Sequence, residues 1–188
     1  MQKIIDGDAS LQNLCLENLP NLLSNVKIMG NFDCRWNNLI SLKNAPNIDN
    51  DKYFYCGENN LTNLIGIPLN FGKRCTFDCS QNELTSLEGA PVNVWSFNCA
   101  YNRLKDLEYA PKIVSGGFYC NNNRLESFRG APHTVEGSVM CLNNPLISLK
   151  GIPKIIGEAL YLPMAVKNVF PEEYIRSLSD IRGVVSYW

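Results

Sequence analysis

Six cysteines recur at nearly constant spacing along this chain, and their recurrence limits the folds that it can adopt. Successive members are 22, 23, 20, 21 and 21 residues apart. They are Cys34, Cys56, Cys79, Cys99, Cys120 and Cys141. A period of about 20 to 29 residues is typical of a solenoid, in which one short structural unit stacks on the next. The spacing therefore predicts a repeat architecture with the cysteines in one column.

Further columns keep the phase of the cysteines. Two residues before each cysteine stand Phe32, Phe54, Phe77, Phe97, Phe118 and Val139. Three residues after each cysteine stand Asn37, Asn59, Asn82, Asn102, Asn123 and Asn144. Apolar residues follow at Leu39, Leu61, Leu84, Leu104, Leu125 and Leu146, and three residues later at Leu42, Leu64, Leu87, Leu107, Phe128 and Leu149. Each unit ends on a proline, at Pro46, Pro68, Pro91, Pro111, Pro132 and Pro153.

Each column has a physical task in the predicted coil. Alternation in Phe-x-Cys sends the aromatic ring and the thiol to one face of a short strand, so the residue between them faces solvent. The leucines turn the chain back over the core, and proline suits an outer turn that needs no ladder hydrogen bond. An inward asparagine amide must find partners on the backbone of the adjacent coil. The fold class predicted is a leucine-rich-repeat solenoid, with parallel strands on the concave face and an irregular or extended convex face.

The cysteines are expected to be buried filler. Neighbouring strands stand about 4.8 Å apart, whereas the Cβ atoms of a disulfide prefer about 3.8 Å. There is no Cys-x-x-Cys pair, and the one histidine, His133, lies on the outer turn without clustered ligands. We therefore predict no metal and no cofactor. Cys75 lies off the column, and a packing role is the default expectation for it.

One spacing resembles a calcium loop and is set aside. Asp6, Asp8, Ser10 and Glu17 fall at positions 1, 3, 5 and 12 of such a loop, but Leu11 replaces the glycine that its sharp turn needs. No glycine-rich phosphate loop, Ser-His-Asp set or Cys-His pair is present either. The sequence therefore predicts no catalytic residues and no enzyme.

The ends of the repeat array are predicted to be capped within a single domain, 1–188. Residues 1–30 would form an N-terminal cap and a degenerate coil, 31–162 the repeats, and 163–188 a C-terminal cap. The C-terminal cap is expected to be a helix that starts near Pro171 and stops at Gly183. Its buried face would consist of Tyr174, Ile175, Leu178 and Ile181. The leucines of the N-terminal cap are Leu11, Leu14, Leu16, Leu19 and Leu22.

The unit Phe77-Asp-Cys-Ser-Gln-Asn-Glu-Leu-Thr-Ser-Leu-Glu-Gly-Ala-Pro91 resembles the short leucine-rich repeats of proteins from tailed bacteriophages and some bacteria. It is more distantly similar to the Leu-Pro-rich repeats of secreted bacterial effectors. The resemblance covers residues 11–162 and implies the fold. For function it implies only a module that binds other proteins, since repeats of this kind carry no chemistry of their own.

Charge and hydropathy exclude some partners. Seventeen basic and 18 acidic residues give a net charge of −1, so no overall positive field draws the chain to nucleic acid. No stretch approaches the roughly 20 apolar residues of a membrane span, and the acidic start argues against a signal peptide. We therefore expect a cytoplasmic protein, in the host cytoplasm if phage-encoded, with no membrane partner and with nucleic acid disfavoured.

The concave surface is the candidate binding site. Its predicted partner-binding residues are Trp36, Tyr53, Tyr55, Glu58, Asp78, Tyr101, Arg103, Tyr119, Arg124 and Met140. Aromatic residues and methionine are enriched at protein interfaces, so this set favours a protein partner over a sugar or a phosphate. The expected charge is graded, acidic in the first half and basic at Arg103 and Arg124. The alternative is a solvated face with incidental aromatic residues.

Three functions follow, in order of preference. The first is a non-enzymatic protein-binding module, an inhibitor or modulator of a host enzyme or defence factor that acts through the concave face. The second is a structural or scaffold protein. The third is a small-ligand, nucleotide-binding protein, for which Arg103 with Arg124 would supply the basic groups.

Overall fold

The chain forms a parallel β-solenoid with little helix. A computed structural model describes residues 2–68, 71–72 and 74–188. In chain order the strands are β1 (Lys3–Ile5), β2 (Ala9–Ser10), β3 (Val26–Ile28), β4 (Phe32–Asp33), β5 (Asn47–Ile48), β6 (Tyr53–Tyr55), β7 (Thr76–Asp78), β8 (Asn93–Val94), β9 (Ser96–Asn98), β10 (Ile113–Val114), β11 (Phe118–Tyr119), β12 (Thr134–Val135), β13 (Val139–Met140), β14 (Ile155–Ile156), β15 (Leu160–Leu162), β16 (Asp180–Ile181) and β17 (Val185–Tyr187). The helices are α1 (Glu172–Leu178) and two 3-10 turns, Asn21–Asn25 and Met164–Val166.

One sheet runs the length of the solenoid. Its nine described strands lie in the order β17-β15-β13-β11-β9-β7-β6-β4-β2, and we call it the long sheet. Every pairing in it is parallel, and the Phe-x-Cys segments form its strands in register: Phe54 pairs with Phe77, and Phe77 with Phe97. Leu160–Leu162 continues this sheet as β15, at the end of the segment predicted to contain the repeats.

The outer side of the coils is more regular than predicted. Instead of irregular or extended chain, strands of two or three residues form two short parallel sheets, β1-β3-β5 and β16-β14-β12-β10-β8. Strands β5, β8, β10, β12 and β14 have two residues each and follow the turns that end on proline. Each of these five strands buries one branched residue, as Val114, Val135 and Ile156 do. Strands of two residues are too short for alternation to reveal them, which is why the sequence pattern missed them.

The core is a continuous column of aromatic, thiol and leucine side chains. Phe54, Phe77, Phe97 and Phe118 stack with ring centroids 5.3 to 6.1 Å apart, and Phe32 packs on Phe54 at 5.2 Å with the two ring planes tilted by 50°. The six column cysteines are fully buried and free, as predicted. Burial raises the pKa of five of these thiols far above the usual value, namely Cys34, Cys56, Cys79, Cys99 and Cys120. Such thiols are poor nucleophiles because the thiolate is scarce.

Buried asparagines tie each coil to the one before it. Asn82 donates from Nδ2 to the carbonyl oxygens of Cys56 and Cys79, both at 3.1 Å, and its Oδ1 accepts from the N–H of Leu61 at 2.9 Å. The same pattern recurs at Asn59, Asn102, Asn123 and Asn144. These side chains are buried, and their amides form hydrogen bonds with backbone groups of two successive coils. The asparagines therefore form a ladder with a structural role.

The C-terminal segment departs from the predicted cap. Helix α1 ends at Leu178, one turn earlier than expected, and Tyr174 is 47% exposed. Ile181 lies in β16, where it pairs with Ile156, and β17 then pairs with β15. Ser179 explains the early stop, because its backbone is extended and its Oγ donates to the carbonyl of Pro153 at 2.6 Å. Residues 163–188 thus continue the coil pattern with a helix in place of the leucine turn.

The N-terminal leucines are only partly buried. Leu19 is in the core, and Leu11 and Leu16 pack against it, whereas Leu14 and Leu22 are exposed. Strands β1 and β2 already pair with β3 and β4, so the coil pattern begins before the predicted start of the repeats. Cys75, one of two thiols outside the column, is buried and donates to the carbonyl of Asp49 at 3.2 Å, which fits the expected packing role.

Candidate functional site

The outward face of the long sheet corresponds to the surface that sequence analysis predicted to be concave. Two rows of side chains define it. The strand row contains the residue between each Phe and Cys position: Asp33, Tyr55, Asp78, Asn98, Tyr119, Met140 and Tyr161. The turn row contains the second residue after each cysteine: Trp36, Glu58, Gln81, Tyr101, Asn122 and Asn143.

Every member of the turn row has a left-handed backbone, with φ between 53° and 56°. For most side chains this conformation costs roughly 1 to 2 kcal/mol relative to the right-handed one, and asparagine tolerates it best. Asn122 and Asn143 follow that preference. Trp36 and Tyr101 depart from that preference, because both are bulky residues in a left-handed conformation. Their side chains are 45% and 56% exposed and contribute little to the core.

In the first half of the face an arginine lies between two aromatic rings. The guanidinium carbon of Arg35 is 4.9 Å from the ring centroid of Trp36 and 4.5 Å from that of Tyr55. Arg35 also donates from Nε to Asp33 Oδ1 at 3.0 Å, and Gln12 donates to the same carboxylate. Burial alone would raise the pKa of Asp33, but these hydrogen bonds outweigh burial and lower it. Asp33 is thus a buried ion-pair partner and not an exposed acid.

Tyr55 is held on its other side as well. The rings of Tyr53 and Tyr55 stack with centroids 5.5 Å apart and planes 12° apart. Burial raises the pKa of the Tyr55 phenol. Arg35, Tyr53, Tyr55 and Trp36 therefore form one preorganised cluster.

The second half of the face contains an open depression. It has a volume of about 340 Å³ and is lined by Ser80, Gln81, Asn98, Ala100, Tyr101, Tyr119 and Asn121. The small side chains of Ser80 and Ala100 create it. The equivalent position, directly after the cysteine, is occupied by Arg35, Asn121 and Leu142 in other coils.

Tyr119 depends on the glycine two residues before it. A Cβ atom at Gly117 would overlap the phenol of Tyr119, so the ring lies over bare backbone. Tyr53 stands at the matching position of the first half, where it stacks on Tyr55. Tyr119 has a glycine beneath it where Tyr55 has a second ring.

The charges on this face are more neutralised than the sequence suggested. Arg103 donates to Glu83 at 2.7 Å, as Arg35 does to Asp33. Asp78 accepts from the N–H and the hydroxyl of Ser80, at 2.9 and 2.6 Å. The Arg103–Glu83 ion pair joins a basic residue of the second half to an acidic residue of the first half and so reduces the predicted charge gradient. The hydrogen bonds from Ser80 fix the position of Asp78 and do not reduce that gradient.

The structure brings some predicted site residues together and separates others. Tyr101 and Tyr119 line one depression, while Trp36, Tyr53 and Tyr55 share the Arg35 cluster. Met140 continues the strand row beside Tyr119, and Glu58 lies in the turn row. Arg103 and Arg124 lie outside the depression.

Sequence reasoning missed part of the depression lining: Ser80, Gln81, Asn98, Ala100 and Asn121. The run of small residues directly after successive cysteines, Gly57, Ser80 and Ala100, was the available signal.

In the described part of the chain, no three histidine, cysteine, aspartate or glutamate side chains converge as metal ligands. Asp8, from the calcium-like spacing, instead accepts from the N–H of Asn31 at 2.7 Å. Over the same residues, no helix is long and apolar enough to cross a membrane.

Comparison with known proteins found no matching family model, no matching curated protein and no matching solved structure.

Proposed function

We propose that this chain is a leucine-rich-repeat solenoid that works as a non-enzymatic protein-binding module through the outward face of its long sheet. We further propose that it is a phage-type inhibitor or modulator of a host enzyme or defence factor, acting in the host cytoplasm. That setting rests on the resemblance of the repeats to those of bacteriophage proteins. The surface itself supports only the binding role.

Tyr101 carries the proposal. Its left-handed backbone disfavours a bulky side chain, and its exposed ring adds little to the core. Strain kept at an exposed position points to a use outside folding. Tyr109 is also exposed with a left-handed backbone, but Tyr101 shares a depression with a second aromatic residue, Tyr119. Rigid aromatic side chains around a pocket are typical of the residues that dominate protein interfaces.

The depression does not favour a nucleotide. Among the residues that the structure describes, no charged side chain lines it, and the guanidinium of Arg103 is already paired with Glu83. Phosphate groups need convergent cationic or N–H donors. The small-ligand alternative therefore gains no support from the geometry.

The test is affinity capture from a bacterial host lysate, followed by reconstitution with the purified partner. We expect a complex of defined stoichiometry that the double variant Tyr101→Ala/Tyr119→Ala weakens at least about 30-fold, because such residues contribute about 2 kcal/mol or more. The outer-face variants His133→Ala and Lys150→Ala serve as controls and should bind like wild type. If only the outer-face variants lose the partner, the interface lies elsewhere. Retention as a fixed component of a large particle would favour the scaffold alternative.

A further inference from the structure

The depression between Tyr101 and Tyr119 has a composition that narrows what can occupy it. Its lining combines two phenol rings, one methyl group, one hydroxyl and three side-chain amides. Tyrosine with serine and asparagine is the composition of antibody binding loops, where tyrosine supplies rigid contact area and the small polar residues supply adaptable hydrogen bonds. The lining therefore fits protein recognition without charge complementarity.

The size of the depression suits an occupant no larger than one side chain. Its volume of about 340 Å³ is at the lower end of the range of roughly 300 to 1,000 Å³ for small-molecule pockets. Its floor is closed by Ala100, which is buried, so an entering group cannot continue into the core.

Its polar groups have unused hydrogen-bonding capacity. Asn98 Oδ1 accepts from the N–H of Ala100 at 3.1 Å, which leaves the Nδ2 amide to face other partners. The amides of Gln81 and Asn121 make no side-chain hydrogen bond within the described chain. Neutral donors and acceptors of this kind suit an uncharged group with one polar edge, because a buried charge would lack a counter-ion.

We propose that this depression is the socket for one tyrosine or tryptophan side chain of the protein partner. The inference rests on the proposed function and names the chemistry of its contact. The entering ring packs against Tyr101 and Tyr119, as aromatic rings do at centroid distances of about 4.5 to 7 Å. Its O–H or N–H meets the amides of Asn98, Gln81 and Asn121. Such side chains present an apolar body and one polar tip, which matches apolar walls with a polar rim.

The repeat supplies matched variants that test the socket. Ala100→Leu fills the depression with a side chain that Leu142 already places at the same position of another coil. Gly117→Ser displaces the ring of Tyr119, and Ser96 and Ser138 occupy the equivalent strand position in the adjacent coils. Ala165→Leu adds the same bulk as the first variant at an exposed position of the second 3-10 turn and is the control.

The probe is N-acetyl-tyrosinamide, titrated into the isotope-labelled full chain while the side-chain amide signals of Asn98, Asn121 and Gln81 are followed by NMR. We expect saturable shifts of these signals with a Kd on the order of 1 mM. Ala100→Leu and Gly117→Ser should weaken the binding at least tenfold, and Ala165→Leu should not. N-acetyl-lysinamide, N-acetyl-leucinamide and methyl glucoside are the comparison ligands.

Several outcomes would overturn the socket. Tighter binding of the glucoside would make the depression a saccharide site, and tighter binding of the lysine amide would show that charge governs it. Shifts that survive both pocket variants would place the contact elsewhere. Thermal unfolding of each variant shows whether it is folded, and the two variants alter different walls, so one misfolded protein leaves the other as the test. If a captured partner binds the long sheet but the tyrosine amide does not bind, the socket fails while the proposed function stands.

Discussion

The two halves of the long-sheet face carry similar aromatic residues in different surroundings. In the first half, Tyr55 lies between the ring of Tyr53 and the guanidinium of Arg35. In the second half, Tyr119 lies over the bare backbone of Gly117 and lines an open depression with Tyr101. The side chains of the first half thus cover one another, whereas those of the second half leave ring surface exposed to a ligand. Equal composition therefore does not imply equal binding strength, and we expect the second half to contribute most of the affinity.

The largest expected effect concerns the stability of the second half. Truncation after Leu162 removes the buried Val166, Ile175 and Ile181 and uncovers the edge of β15. Each buried aliphatic side chain contributes about 1.5 to 3 kcal/mol, so the free energy of unfolding should fall by more than about 4 kcal/mol. Urea denaturation with amide hydrogen exchange measures this and should show protection lost first in the second half. The control is Val169→Ala at an exposed site, expected within about 0.5 kcal/mol. An unchanged denaturation midpoint would contradict the prediction.

The next effect concerns partner binding and compares the halves directly. Tyr119→Ala should weaken binding of the captured partner by about 2 kcal/mol, or roughly 30-fold. Tyr55→Ala should weaken it less, because the ring of Tyr55 is already covered by Tyr53 and Arg35. Calorimetry with purified proteins measures both variants. A larger loss for Tyr55→Ala would reverse the comparison and place the main contact in the first half.

The first half should show the stronger acid sensitivity. The pKa of Asp33 is lowered in the folded chain, so its contribution is present above the unfolded pKa of about 3.9 and is lost as the pH falls through the lower folded value. Asp33→Asn should cost about 1 to 2 kcal/mol at pH 7, because Arg35 loses its ionised partner. The stability gap between wild type and variant should then close below about pH 4. Urea denaturation at several pH values tests it, and a constant gap would refute the role of this carboxylate.

A smaller effect on stability should distinguish the two aromatic residues of the turn row, Trp36 and Tyr101. Tyr101→Asn relieves left-handed strain and should stabilise the chain by about 0.5 to 1 kcal/mol while lowering partner affinity. Trp36→Asn should gain less, because it also loses the contact with Arg35, worth about 0.5 to 1 kcal/mol. Thermal unfolding compares the variants. If Tyr101→Asn destabilises the chain, the ring has a folding role and the strain argument fails.

The thiols of the cysteine column should be equally unreactive in both halves. Its six members are fully buried, whereas Cys15 is exposed. A thiol reagent should therefore label one site, Cys15, in the native protein, and the same reagent on a Cys15→Ser variant should label none quickly. Mass spectrometry of the labelled peptides measures this. Rapid labelling of most column thiols, or a disulfide among them, would show that the column is not closed.

The repeat columns made the inward side of the coil predictable. The rings, thiols and leucines recur in phase, and the structure buries them as one core. The short sheets were not predicted because most of their strands have only two residues, although the branched residues Val94, Val114, Val135 and Ile156 also recur. Ile181 misled the helix prediction because it suits a helical face and a buried strand equally, and Ser179 decides between them.

The face could be predicted only in part. Strand alternation identified Tyr55, Tyr119 and Met140 as outward residues. It could not show that Arg35 forms an ion pair with Asp33 and contacts two aromatic rings, since these interactions depend on side-chain conformations. It also could not show the depression, which arises where the small residues Ser80 and Ala100 meet tall neighbours from other coils.

The asparagine ladder also sets how the solenoid would come apart under tension. Each asparagine holds the coil before its own, as Asn144 does through the carbonyl of Cys120 and the N–H of Leu125. Because these bonds lie at the interface between two coils, pulling on either end breaks the same pair of asparagine bonds for each coil released. Each released coil of about 21 residues would add about 70 Å of extended chain, so a force–extension trace should show evenly spaced steps from either end.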